Sequence, residues 1–101
     1  MSADSPTISV EVLIPAVLAD VAGGARALRI DLPAGTLADV LDTVRRDHPL
    51  LDQRLRDETG ALRRYVNVYV DGVDVRAERG VATAVTDGAV VEVLPCVAGG
   101  A

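Results

Sequence analysis

RYVNVYVDGVDVR, residues 64–76, decides the fold. Val66, Val68 and Val70 point one way along an extended chain, and Tyr65, Asn67 and Tyr69 point the other. Asp71-Gly72 tolerates the positive φ of a tight hairpin turn. Val73 to Arg76 then returns as a short strand. Further on, Gly80 and Asp87-Gly88 mark turns. Ala89 to Leu94 reads as the last strand, with Val91 and Val93 inward and Val90, Glu92 and Leu94 outward.

Before the hairpin, Ile8, Val10, Val12 and Ile14 alternate with Thr7, Ser9, Glu11 and Leu13, a half-buried strand that Pro15 ends. Gly23-Gly24 is a turn; no GxGxxG or GKS/T pattern follows to make it a phosphate loop. A second strand runs from about Arg26 to Leu32, with Leu28, Ile30 and Leu32 inward and Arg29 and Asp31 outward. Pro33-Ala34-Gly35 breaks it. Thr36 starts a helix, with Asp39 three residues on in a capping-box position. Leu37, Val40, Leu41 and Val44 make one apolar stripe, and Asp42 and Arg46 are spaced to pair on the wet side. Pro49 ends that helix, and Leu50 to Arg56 reads as a short further turn before the Gly60 loop. The expected class is α+β: a mixed sheet of four to five strands with one main helix on one face. Residues 1–6 read as a disordered N-terminus, residues 7–97 as the domain and residues 98–101 as a flexible tail.

Composition narrows the function. The chain has 101 residues, half of them apolar, with no Phe or Trp, so the core is Val, Leu, Ile and Ala. A net charge of −5 argues against nucleic-acid binding, which needs clustered positive charge. Arg54, Arg56, Arg63 and Arg64 form the only basic concentration; it reads as a solvated face, with a docking patch for an acidic partner as the other reading. All ten basic residues are Arg, so Schiff-base chemistry and a phosphate-loop lysine are absent. One cysteine rules out an intrachain disulfide and fits a reducing compartment. MSADSPT has no signal-peptide pattern, and the run from Val12 to Ala19 is too short to span a bilayer. The expectation is a cytoplasmic protein.

The catalytic inventory is poor. His48, the only histidine, stands beside Pro49 at a helix end, where the helix C-terminus accounts for it. Cys96 is either a small hydrophobe at a strand end or a sulfur relay near the terminus. The acids, Asp57-Glu58, Asp71 and Asp74 among them, follow a surface-like pattern without calcium-loop or metal-ligand spacing. The tail differs. Gly99 and Gly100 carry no Cβ, so Ala98-Gly99-Gly100 is slim enough to lie extended in a channel about one peptide wide. An enzyme that must reach a main-chain carboxylate needs such a tail.

RYVNVYVDGVDVR, followed by TAVTDGAVVEVLPCVAGG, resembles the bacterial sulfur-carrier proteins of the ubiquitin-like β-grasp fold over roughly residues 7–100. That family includes carriers for thiamin thiazole, molybdopterin and cysteine synthesis, and the cysteine type is the most similar. The resemblance implies that the Gly100 carboxylate is adenylated by an E1-like adenylyltransferase/sulfurtransferase and becomes a thiocarboxylate. Ala98, Gly99 and Gly100 would enter the partner's active site. ATP and magnesium would belong to that partner, and this chain would bind no cofactor or metal. Leu94, Pro95 and Val97 match the place where relatives dock, and a sulfur-accepting synthase would take the sulfur. Ala101 departs from a terminal diglycine: it is a residue a metallopeptidase removes, an added residue, or the mark of a blocked precursor, and removal before activation is the favoured reading. A ubiquitin-like tag, the small subunit of molybdopterin synthase and an interaction module with an idle tail stay open as alternatives.

Overall fold

The computed structural model describes residues 7–33 and 35–95, with main chain alone at Pro95. The segment 1–6, and Cys96 through Ala101 with the expected tail, lie outside the described residues. In chain order the elements are β1 (Ile8–Leu13), a 3-10 helix (Ala16–Ala22), β2 (Ala27–Leu32), β3 (Gly35–Thr36), α1 (Leu37–Asp47) and α2 (Pro49–Leu55). Then come β4 (Val66–Val70), β5 (Val73–Asp74), short 3-10 turns at Val75–Ala77 and Gly80–Ala82, β6 (Ala84–Val85) and β7 (Val90–Pro95).

The decisive hairpin forms as read. Asp71 and Gly72 both take positive φ, 51° and 86°, and Tyr69 pairs with Asp74 and Val70 with Val73. The main sheet has five strands in the order β2-β1-β7-β4-β5. β1 and β7 run parallel and the other neighbours antiparallel, so the sheet is mixed, as expected. Val10, Val12, Ile30, Leu32, Val66, Val68, Val91 and Val93 line its inner face, and Leu37, Val40, Leu41 and Val44 of α1 lie buried with them in one core.

The start of α1 follows from its sequence. The Thr36 hydroxyl accepts from the Asp39 N–H, and the Asp39 carboxylate accepts from the Thr36 N–H, closing the capping box. Gly35 is required there, because a Cβ on it would overlap the Asp39 carboxylate. Pro49 opens α2 at its first turn, where a missing N–H costs nothing.

Four features depart from the sequence reading. The segment between Pro15 and Gly23 is a 3-10 helix that buries Leu18 and Ala22 and ends on a left-handed Gly23. β3 and β6 form a separate two-stranded sheet. Val73 to Arg76 is a strand only at Val73–Asp74; a 3-10 turn then buries Val75. The fourth concerns charge. Arg56 is not part of a solvated face: it is 7% exposed, as is Asp52. Its Nε donates to Asp52 (2.8 Å) and its Nη2 to Asp42 (2.9 Å). Asp42 therefore pairs with Arg56, just past the end of α2, and not with Arg46. Burial works against the Arg56 charge, but the hydrogen bonds to Asp52 and Asp42 outweigh it and raise the guanidinium pKa. The Asp57 carboxyl pKa is lowered, chiefly by hydrogen bonds from the Thr59 hydroxyl and N–H.

Two stability outcomes follow from this packing. Val68→Asp places an unpaired charge where the wild-type side chain has no exposure, and its product should show no cooperative thermal melt. Arg56→Leu leaves the Asp52 carboxylate buried without its partner and should cost about 3–5 kcal/mol in chemical denaturation, far more than Arg54→Leu on the exposed side of α2.

Candidate functional site

β7 is the central strand, held between β1 and β4. Main-chain and side-chain hydrogen bonds fix its beginning. The Val90 N–H donates to the Asp71 carboxylate (2.9 Å) and the Ser9 N–H to the Asp87 carboxylate (2.8 Å). The Asp71 N–H returns to the Val90 carbonyl (2.9 Å). Asp71 and Asp87 thus cap strand ends and are not merely solvated acids. At its other end β7 is described to Pro95, in the middle of the sheet.

Alternation along β7 divides its side chains between two environments. Val91 and Val93 are buried, whereas Leu94 is 40% exposed on the opposite face. The cross-strand register sets Leu94 against Asn67 and Glu92 against Tyr69 on β4, and Glu92 against Leu13 on β1. The outer face therefore carries Leu13, Val90, Leu94 and Tyr69 around Glu92, with exposed Tyr65 at the start of β4. The described helices pack on the other side, so no described helix covers this face.

Arg76 braces the Tyr65 end of the patch. Its Nη1 donates to the Asn67 side-chain oxygen (2.9 Å) and its Nη2 to the Arg63 carbonyl (2.8 Å). Sequence reasoning did not single out this residue; its only signal was a place at the end of the decisive segment. Beside β7, an open groove of about 330 Å³ runs between Leu94, Glu92, Arg26 and the Leu13–Ala16 stretch.

Leu94 is thus placed as the sequence indicated. Of Pro95 the structure describes main chain only, paired with Val66. Val97, Ala98, Gly99, Gly100 and Ala101 lie outside the described residues, as does Cys96. His48 links α1 to α2, its N–H bonded to the Val44 carbonyl (2.7 Å) and its carbonyl accepting from Leu51 and Asp52. Among the described residues no side-chain hydrogen bond joins the His48 ring to a nucleophile or an acid. Among the described residues no cluster of three His, Cys, Asp or Glu is placed to hold a metal, and no helix is long and apolar enough to cross a membrane.

A model of the ThiS family matches residues 12–100. The chain belongs to the ThiS family. It is 38% identical over 95 residues to the sulfur carrier protein CysO of Mycobacterium tuberculosis, covering 92% of this chain and all of the relative. Its structure matches the crystal structure of M. tuberculosis CysO with a TM-score of 0.79 and 37% identity, over 87% of this chain and 99% of that one. A match in the Amycolatopsis orientalis BexX/CysO complex has a TM-score of 0.80 at 34% identity, over 87% and 96% of the two chains. SAMP1 of Haloferax volcanii gives 0.74 at 31%, over 88% and 96%. The architecture is the ubiquitin-like β-grasp shared with these carriers.

Proposed function

We propose that this ThiS-family chain is a protein co-substrate, not an enzyme, and that its working group is the carboxylate of Gly100. The observation that carries the reading is that the family match runs through Gly100, with the diglycine inside it; the identity to CysO sulfur carriers supports it. Hydrolysis of the Gly100–Ala101 amide by a metallopeptidase releases alanine and frees the carboxylate. That carboxylate attacks the α-phosphorus of ATP on an E1-like partner, and pyrophosphate leaves. A hydrosulfide-level sulfur nucleophile then displaces AMP, leaving a thiocarboxylate. A sulfur-accepting synthase uses this sulfur in making cysteine or another sulfur-containing metabolite. ATP and magnesium reside on the activating partner, and a reducing cytoplasm suits both the thiocarboxylate and a lone cysteine.

The open outer face suits this use. Leu94, with Pro95 and Val97, docks the partner, while Ala98, Gly99 and Gly100 thread to the nucleotide. Glycine is needed because a Cβ at either position would meet the walls of a channel one peptide wide. A second reading, a tag joined to lysines through the same terminus, is favoured only by the likeness to the small archaeal modifier SAMP1. Conjugates of higher mass in cell extracts would select it.

The chain ending at Gly100, incubated with ATP, magnesium, a sulfur source and the activating enzyme, should gain the mass of one sulfur in place of one oxygen. Intact-mass spectrometry reads this directly, and an unchanged mass refutes the carrier reading. Gly100→Ala in the same assay should slow thiocarboxylate formation about 100-fold, because a small misplacement at a reacting centre is enough, with its melt unchanged. Leu94→Arg should fold normally and weaken partner affinity about 30-fold, the loss expected for a central apolar anchor. Titration calorimetry against the activating enzyme measures this.

A further inference from the structure

We propose that the free edge of β2 is a homodimerisation site, at which a second copy of this chain lays its own β2 antiparallel, with Arg29 of each copy opposite Asp31 of the other. The inference is independent of the sulfur-carrier reading.

The phase of the ladder shows which groups are free. The Ile14 N–H donates to the carbonyl of Arg26 across the strand pair (2.8 Å). Hydrogen-bonded pairs recur at every second residue of an antiparallel ladder. With Val12 opposite Leu28 and Val10 opposite Ile30, the main-chain groups of Leu28, Ile30 and Leu32 turn toward β1. Those of Ala27, Arg29 and Asp31 turn away. The far side of β1 agrees, since Ser9 and Glu11 bond the Gly88–Ala89 segment before β7. β2 is the outermost strand, and no hydrogen bond among the described residues uses the outward groups of Ala27, Arg29 and Asp31. Such an edge is a template for another strand.

The side chains select the occupant. Arg29 and Asp31 are both exposed on the outer face, and the ion pairs among the described residues all involve Arg56 and neither of these two. A two-fold axis at Arg29 or at Asp31 stacks like charges, which repel when directly opposite. An axis at Leu28 sets Arg29 against Ala27. An axis at Ile30 sets Arg29 against Asp31 twice, once on each side. The edge is therefore self-complementary in one register. Pro33, without an N–H, stops the ladder from running on. β1 separates β2 from β7, so Leu94 of each copy stays clear of the shared edge. One strand on each side is a small interface, so association is weak and concentration-dependent.

Sedimentation velocity of the full chain from micromolar to millimolar concentration tests this. The sedimentation coefficient should rise with concentration. Arg29→Asp or Asp31→Arg alone should each weaken association at least about tenfold. An equimolar mixture of the two variants should associate again, because every cross-strand pair is then opposite in sign. In wild type, hydrogen exchange at the amides of Ala27, Arg29 and Asp31 should slow as concentration rises, while that of Leu28, Ile30 and Leu32 should not change. A flat sedimentation coefficient overturns the proposal. So does undiminished association of either single variant, failure of the mixture to associate, or concentration-independent protection of the three edge amides.

Discussion

The parallel pairing of β1 with β7 is the constraint on which the rest of the structure depends. Glu11 to Leu13 lie against Val90 to Glu92, so strands from near the two ends of the chain become neighbours in the middle of the sheet. A contact so distant in sequence closes a loop of nearly the whole chain and must be secured by more than a few ladder bonds. The security comes from two sources. Val12 and Val91 are each fully buried under the helices, and the Asp71 and Asp87 carboxylates take N–H groups at the start of the pair. With β7 fixed in the centre, its outward side chains emerge among those of β1 and β4. The outward position of Leu94 is thus a consequence of sheet order.

Local chemistry made most of this legible. The valine alternation on β1, β4 and β7, the Asp-Gly turn and the Thr36–Asp39 box each act over a few residues, and each formed as read. Sequence reasoning failed where a residue's role depends on distant packing. Arg56 looked like one of four exposed arginines, but the Arg56–Leu62 bridge and the turn back at Gly60 fold the loop against α2 and enclose it. Asp42 had a helical neighbour at the right spacing and still took the guanidinium just past the end of α2, because a buried charge gains more from a partner than an exposed one does. The β3–β6 pairing joins two-residue segments too short to carry any periodicity. The 3-10 helix after Pro15 has apolar residues on several sides and shows neither a period of two nor one of 3.6.

The same division holds for the candidate site. The outward position of Leu94 was readable from alternation, and the cradle of Arg76 was not, since its acceptors lie on β4 and in the loop before it. Searches for an enzyme site look for a deep hollow and titrating groups displaced by their surroundings. Here a hollow of about 600 Å³ lies by Arg56 and Asp57, among residues of α1, α2 and the following loop, and none of its lining belongs to β7. The displaced groups there are explained by ion pairing and loop hydrogen bonds. A carrier does not need such a site. In the role proposed above, the working group is a main-chain carboxylate and no such hollow is required. That proposed role rests on two glycines and on the orientation of one strand, while the helices and their charge cluster keep that strand in place.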